Sequence, residues 1–367
     1  MTMLRAAARI TLPDPVAVLR PLCEHLVEHE AEVSEADGVT TILFGDSRAE
    51  LRTEPGSLSV VIEAPDLARL QGSKFAIASH AVEFAPEGAA LTIRWSGDGA
   101  EPMLPPDFRV LTVTGVEQLT PRMRRIRFRG GELARYDSLE ALHVRLFIPP
   151  AGLAEPVWPM IGADGLLQSP PAEQRPAIRK YTVREIDAAA GTLAIDFVLH
   201  DDAGPGSAFA ARVQAGDRIG MAGPGGRGLK HAERYLFLAD ETGLPALARM
   251  LENLPMSATG LALVEIADAA ERQPLAMPDG VSLRWLHRDG AAPGSTSLLT
   301  DALATLDWPA GEGSLYLWAA CEHAAFREIR AAARQYLRPE IDAHLVVSYW
   351  RAGVSEEQHA AEKRKAA

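Results

Sequence analysis

Arg179-Lys180-Tyr181-Thr182-Val183-Arg184, followed twenty residues on by Gly204-Pro205-Gly206-Ser207, is the stretch on which the fold of this 367-residue chain turns. Read as a strand, the first segment puts Arg179, Tyr181 and Val183 on one face and Lys180, Thr182 and Arg184 on the other. A cation, an aromatic plane and a hydroxyl then lie within a few ångströms of each other. The second segment follows an apolar strand, Leu193 to Leu199, and opens a short helix at Ser207. Backbone N–H groups at a helix start, with glycines permitting close approach, suit a pyrophosphate. Alone, Arg-x-Tyr reads as a strand with a solvated ion pair; the Gly-Pro-Gly-Ser turn shifts the reading toward a phosphate site.

Outward from this stretch, short strands are predicted at Phe108 to Val116, Met123 to Phe128, His143 to Ile148, Arg179 to Arg184, Leu193 to Leu199 and Asp217 to Met221. Six strands with one short helix, Ser207 to Val213, make a small antiparallel barrel over 108–230. Gly223-Pro224-Gly225-Gly226 closes it as a tight turn. The Pro- and Gly-rich run from Pro149 to Ile178 is long for a loop in a compact domain and is expected to line the approach to the Arg179 strand.

After residue 231 the period changes. Strands at Tyr235 to Ala239, Leu261 to Ile266, Val281 to Leu286, Leu315 to Ala319 and His344 to Tyr349 alternate with helices near 244–254, 297–306, 324–336 and 355–363. That alternation argues a parallel, doubly wound sheet over 231–367. Its first strand ends in Asp240-Glu241-Thr242-Gly243, without the Gly-x-Gly-x-x-Gly fingerprint. Thr242 can cap the next helix, and Asp240 and Glu241 complement its positive end. Two carboxylates there repel a pyrophosphate, so a nicotinamide or its ribose is expected near this turn. Arg249, Arg284 and Arg288 are candidates for a 2'-phosphate and equally for surface cations.

Residues 1–96 read as a separate small α+β domain, joined by a Gly/Pro linker at 97–107. Pro13 and Pro15 open a helix with Val16, Leu19, Leu22, Cys23, Leu26 and Val27 as its apolar stripe. Strands are expected at Thr40 to Phe44, Leu58 to Ile62 and Leu91 to Trp95. A second helix runs from Asp66 to Phe84, with Gly72 a candidate interruption. His25 and His29 share a helix face, with His80 a third candidate for a metal site; solvated histidines are the favoured reading and no metal is assigned. Cys23 and Cys321 have no metal-ligand spacing and form no disulfide framework. The net charge of −12 argues against nucleic-acid and anionic-membrane partners. No apolar run approaches the roughly 18 residues of a membrane span and no signal-peptide pattern opens the chain, so a cytoplasmic protein is expected.

The order of these motifs resembles the siderophore-interacting proteins, or ferric-siderophore reductases, of the ferredoxin reductase superfamily. The Arg179-x-Tyr181-Thr182 strand is similar to the family's flavin strand, and His143-Val144-Arg145-Leu146 to its His-Val-Lys-Leu. Asp240-Glu241-Thr242-Gly243 resembles Asp-Glu-Thr-Ala, and Ala320-Cys321-Glu322 resembles Ala-Gly-Glu. Ser348-Tyr349-Trp350-Arg351-Ala352-Gly353 resembles Gly-Tyr-Trp-Arg-x-Gly, and Phe209 stands where the family carries tryptophan. Residues 1–96 are similar to a small uncharacterised domain fused ahead of such proteins. The implied fold is multi-domain, α+β and α/β: a small N-terminal domain, a six-stranded antiparallel flavin-binding β-barrel and a C-terminal doubly wound parallel-sheet nucleotide-binding domain.

The resemblance implies FAD held by Arg179 on the pyrophosphate, Tyr181 against the ring or ribityl chain and Thr182 near flavin N5. Arg184, His200, Gly204, Gly206, Ser207 and Ala208 complete that set. On the nicotinamide side stand Asp240, Glu241, Thr242, Cys321, Glu322 and Trp350. Arg145 and Arg351 are substrate candidates within a basic cleft with Arg179 and Arg184. The implied activity is reduction of a ferric siderophore by NADPH or NADH, or by a ferredoxin donor, through outer-sphere transfer that needs no catalytic acid, base or nucleophile. Alternatives are a general flavin or quinone reductase and a non-catalytic siderophore- or iron-binding protein. The charged run Glu362-Lys363-Arg364-Lys365 reads as a helix end.

Overall fold

Leu4–Thr11 turns Ala6, Ala8 and Ile10 inward and its alternate residues outward, which makes a strand of a run too alanine-rich to be singled out by hydrophobicity. The computed structural model describes residues 3–89, 91–153, 155–200, 204–306, 313–359 and 362. The chain divides into two compact units, Met1–Phe108 with Pro149–Pro176, and Arg109–Ile148 with Ala177–Ala367. Lys363, Arg364 and Lys365 lie outside the described residues.

In the first unit an antiparallel sheet runs in the order Glu32–Ala36, Val39–Phe44, Ser47–Glu54, Ser57–Ala64, Leu4–Thr11, Thr92–Gly97. Helices Pro15–Glu28 and Leu67–Glu83 pack on it, with N-caps Asp14 and Asp66 accepting from Ala17 N at 3.0 Å and Arg69 N at 2.8 Å. The second helix passes through Gly72 unbroken. In the first, the buried stripe is Val18, Leu22 and Leu26. Val16 and Val27, expected in that stripe, are 64% and 53% exposed. At 100° per residue both fall about 160–180° around the helix from Val18.

The segment from Pro149 to Pro176 does not stand free. Ile161 and Met103 exchange backbone hydrogen bonds at 3.0 and 2.7 Å, and Trp95 Nε1 donates to Asp164 O at 3.0 Å. The 97–107 stretch is likewise held: Gly99 O accepts from Lys74 Nζ at 2.6 Å and Gln71 Nε2 at 2.8 Å. The run expected to line the approach to the Arg179 strand is therefore part of the first unit, fixed by polar bonds to residues distant in sequence.

The second unit holds a seven-stranded sheet in the order Ala177–Thr182, His143–Ile148, Arg218–Gly225, Phe108–Thr120, Met123–Arg129, Thr192–Val198, Glu185–Asp187. One continuous run supplies both ends. Ala177–Thr182 pairs with His143–Ile148, Val183 N donates to Leu142 O at 3.1 Å, and Arg184 N donates to Ala194 O at 2.9 Å. The strand then continues as Glu185–Asp187 on Thr192–Val198, closing the barrel at the quoted stretch. Phe128, Val144, Val183, Ile195 and Phe197 fill its interior.

The same unit carries a five-stranded parallel sheet, order Val281–His287, Thr259–Ile266, Arg234–Ala239, Leu315–Glu322, Ala343–Trp350. Strand order reverses between Arg234–Ala239 and Leu315–Glu322. The crevice beyond the carboxyl ends of these two strands is the expected ligand position in such a sheet.

Candidate functional site

The barrel's closing strand and the helix Pro205–Arg212 meet as the sequence reading requires. Tyr181 packs on Phe197 with ring centroids 4.3 Å apart, and burial pushes its phenol pKa well up. A Cβ on Gly206 would stand 2.1 Å from the Tyr181 hydroxyl, so only glycine lets the helix start come this close. Gly204 caps the helix without any side-chain bond of its own. Ser207 Oγ accepts from His200 N at 2.9 Å, tying the preceding strand end to the helix. Ala208 N donates to Gly204 O at 2.9 Å as the first helical bond. Thr182 is buried, opposite His143 in register.

Arg179 carries anions in this structure. Its Nη1 donates to Glu357 Oε1 at 2.6 Å, its Nε lies 3.3 Å from Glu356 Oε2, and Lys180 N donates to Glu356 Oε1 at 3.4 Å. A guanidinium and a backbone amide that take carboxylates, beside a helix start lacking a side-chain cap, are the donor set a pyrophosphate needs. These residues fit FAD. Arg184, expected in the same set, is buried and forms a bidentate ion pair with Glu252, one arm at 2.7 Å.

The crevice of the parallel sheet has a different character. Asp240 is buried and accepts from Thr242 N at 2.9 Å, Thr242 Oγ1 at 2.5 Å, Gly243 N at 3.3 Å, Glu322 N at 2.9 Å and Trp350 Nε1 at 2.8 Å. Burial nonetheless raises its pKa. Glu322 accepts from Ala324 N at the start of helix His323–Tyr336 and from Ala352 N at 3.1 Å. Glu241 binds Arg288 bidentately, and Glu265 lies 3.4 Å from the same guanidinium. The cysteine at 321 is fully buried, and desolvation raises its thiol well above the ordinary range. Asp240, Glu241, Cys321, Glu322 and Trp350 line one pocket, with Arg288 its only cation among the described residues. Thr242 flanks it through Asp240.

Arg288 and Arg249, candidates for a 2'-phosphate or the surface, are both buried rather than surface cations. Arg249 donates to Val183 O at 2.8 Å and Tyr136 O at 3.3 Å. Arg284 is exposed. Of the proposed basic cleft, Arg351 pairs with Glu362 at 2.6 Å, and Arg145 is exposed directly opposite Lys180 in strand register.

A pair that sequence reasoning missed joins barrel and sheet. His143 Nε2 and Tyr349 Oη share a hydrogen bond, their rings edge-to-face at 5.3 Å. Burial, with Lys180 nearby, lowers the His143 pKa to about 4. Both residues sat in motifs noted for other positions; only their separation in sequence hid the contact. In the first unit, His25, His29 and His80 lie together, with ring centroids 4.7 and 4.8 Å apart for the two pairs that share His25.

Comparison with known proteins agrees with both domain patterns. Residues 112–228 match the siderophore-interacting FAD-binding domain, residues 232–353 the siderophore-interacting protein model, and residues 7–96 an uncharacterized protein family conserved in bacteria. The NADPH-dependent ferric-chelate reductase of Escherichia coli is 34% identical over 67% of this chain and 93% of its own. The ferric vibriobactin reductase of Vibrio cholerae is 27% identical over 70% of this chain and 93% of its own. The crystal structure of a siderophore utilization protein from T. fusca superimposes with a TM-score of 0.61 at 41% identity, covering 71% of this chain and 100% of that one. An antiparallel FAD-binding barrel followed by a parallel α/β domain, matched by both models, places this chain in the siderophore-interacting protein family.

Proposed function

We propose that this protein is an FAD-dependent reductase of ferric siderophores, taking electrons from NADPH or NADH and releasing Fe(II) in the cytoplasm. The observation that carries the reading is the close approach of Tyr181 to Gly206 at the helix start, with Arg179 two residues along the same strand, on a barrel of the siderophore-interacting FAD-binding type. The named activities of the Escherichia coli and Vibrio cholerae relatives support it. No described helix is long and apolar enough to cross a membrane.

When bound, FAD supplies a carrier that accepts a two-electron hydride and passes electrons singly to iron. This chain's part is to hold the groups. Arg179 and the amides of Gly206 and Ser207 take the pyrophosphate, with Ala208 closing the first helical turn behind them, while Tyr181 and Thr182 contact the ring side. Asp240, Glu241, Thr242, Cys321, Glu322 and Trp350 bound the crevice assigned to the nicotinamide. Arg145 and Lys180 are both exposed and stand opposite each other in strand register, so an anion between them would meet two cations. We assign them to an anionic ferric chelate, with Arg351 beyond. No protein acid or base is required, because the iron changes oxidation state without bond cleavage in the ligand.

The test is the visible spectrum of the purified protein during anaerobic addition of NADPH, then NADH, then a ferric siderophore with a ferrous trap. Flavin bands that bleach with nicotinamide and return on adding the chelate are expected. A flavin bleached only by reduced ferredoxin would move the donor; no flavin at all would overturn the reading in favour of a binding protein. Equal turnover of quinones in competition would favour a general reductase. Arg145→Ala should raise the KM for an anionic ferric siderophore about tenfold, the worth of one charge-assisted contact, with flavin content unchanged. Unaltered kinetics would remove Arg145 from the chelate site.

A further inference from the structure

The first unit carries a histidine cluster that the reductase reading does not use. His25 lies on helix Pro15–Glu28, His29 is the C-cap of that helix one turn on, and His80 lies in the last turn of the neighbouring helix Leu67–Glu83. The Nε2 atoms of His25 and His29 are 3.1 Å apart. Two imidazole nitrogens on one cation, each at about 2.0–2.1 Å, stand about 2.9 Å apart at a right angle and about 3.3 Å at the tetrahedral angle. The observed separation falls between these limits. Without a cation, the contact requires a proton on one of the two nitrogens, and a cation can take that proton's place.

His80 has the tautomer that such a site needs. Its Nδ1 lies 2.6 Å from Ala76 O, and since a carbonyl only accepts, the proton is on Nδ1 and the neutral ring keeps its lone pair on Nε2. A ring that donates its other N–H to an oxygen acceptor is the usual form of a metal-bound histidine. Glu28 Oε2 faces His25 Nδ1 at 3.6 Å, and Glu83 Oε2 lies 3.9 Å from His80 Nε2, so carboxylates flank both helices' contributions. The side chains of His25 and His80 are 31% and 18% exposed, which leaves a path for a small ion. As they stand, no three ligand side chains among the described residues converge on one point; closing the set takes a side-chain swing of His80 toward the pair.

We propose that His25, His29 and His80 form a three-imidazole site for a divalent first-row transition cation, with Glu83 or water completing the shell and Glu28 held behind His25 at its other ring nitrogen. Neutral nitrogen donors select Zn2+, Co2+, Ni2+ or Fe2+ over Mg2+ and Ca2+. The site stands independently of the reductase reading, in the other unit.

Calorimetric titration of Zn2+ into the whole purified chain should show one equivalent bound, and Mg2+ none. His25→Ala/His29→Ala should weaken binding by at least about 100-fold, since even an outer-shell partner is worth about 10–100-fold. His80→Ala should weaken it by about tenfold or more, and His231→Ala, in the other unit, should leave it unchanged. Flavin absorbance and metal-free Tm should stay the same in every variant. As a check that needs no variant, Co2+ should give visible bands of a four- or five-coordinate nitrogen site beyond the flavin absorption. No saturable Zn2+ uptake, uptake retained by the double variant, or a Co2+ spectrum of the hexa-aquo ion would overturn the proposal.

Discussion

The barrel and the parallel sheet each present helix starts where an anion would be welcome, and they differ in how much negative charge the chain itself places beside them. At Pro205–Arg212 the cap is a glycine with no side-chain bond, and the nearby Arg179 takes carboxylates from further along the chain. At His323–Tyr336 the N-cap Glu322 fills the Ala324 amide itself, and just ahead of Leu244–Glu252, whose own cap is likewise a glycine without a side-chain bond, the buried Asp240 takes the Thr242 and Gly243 amides. The first end is where we propose that a phosphate is received. The second has supplied its own negative charge, so a dinucleotide docking there finds those amides taken and must place its phosphates elsewhere. A helix start is an anion site only when the sequence leaves it open.

The largest effect expected from breaking this contrast is on stability at the sheet end. Asp240→Asn turns an amide NH2 toward donors from Thr242, Gly243, Glu322 and Trp350, leaving at least one buried donor without an acceptor. A cost of about 3 kcal/mol is expected, read as a lower denaturation midpoint. Flavin content at low temperature should be unchanged. A parallel loss of flavin would mean that the two ends are not separable.

Next in size is a pH effect at the joint between them. His143 is held neutral by burial and Lys180, with a pKa of about 4 against about 6.5 in an unfolded chain. The unfolded chain therefore binds the proton first as pH falls. Stability is full above about pH 7 and is lost through the window from about 6.5 to 4, reaching about 3 kcal/mol at its lower end. His143→Gln should flatten this slope in denaturation measured across the window. A slope unchanged in the variant would place the proton uptake on another group.

At the barrel end, Gly206→Ala sets a methyl 2.1 Å from the Tyr181 hydroxyl. Overpacking of this kind costs about 1–3 kcal/mol, and here it should appear mainly as about tenfold or greater loss of FAD affinity. Adding Tyr181→Phe removes the clashing oxygen and leaves the ring carbon at 3.1 Å, so part of the affinity should return. No recovery would show that the hydroxyl itself is needed by the flavin.

The sequence displayed the barrel end more openly than the sheet end, for a physical reason. A strand of alternating faces followed by Gly-Pro-Gly-Ser is local, and its meaning survives without knowledge of neighbours. The state of Arg288 is not local: its partners Glu241 and Glu265 stand 47 and 23 positions away, and nothing in Trp-Leu-His-Arg distinguishes a buried ion pair from a surface cation. Arg184 and Arg249 were opaque for the same reason. Parallel strands were legible as continuous apolar runs, whereas Leu4–Thr11 and Ser47–Glu54 were missed because alanine and arginine carry their alternation. The fate of 149–176 depended on hydrogen bonds from Trp95 and Met103, which no local pattern announces.

The smallest expected effect is the most direct test of openness at the barrel end. Glu356 and Glu357 lie against Arg179 and the Lys180 amide, where a pyrophosphate is expected to bind. If they compete with it, Glu356→Gln/Glu357→Gln should tighten FAD binding by about two- to fivefold, the scale of partly exposed ion pairs. The gain should shrink as salt screens the pairs. Burial raises the Glu356 pKa, so lowering the pH removes this competitor early and should bring the unmodified protein toward the variant. Unchanged affinity would mean that carboxylates and phosphate use different faces of Arg179. Weaker binding would mean that the two glutamates hold Arg179 in place for the cofactor, and the barrel end would then resemble the sheet end in relying on its own carboxylates.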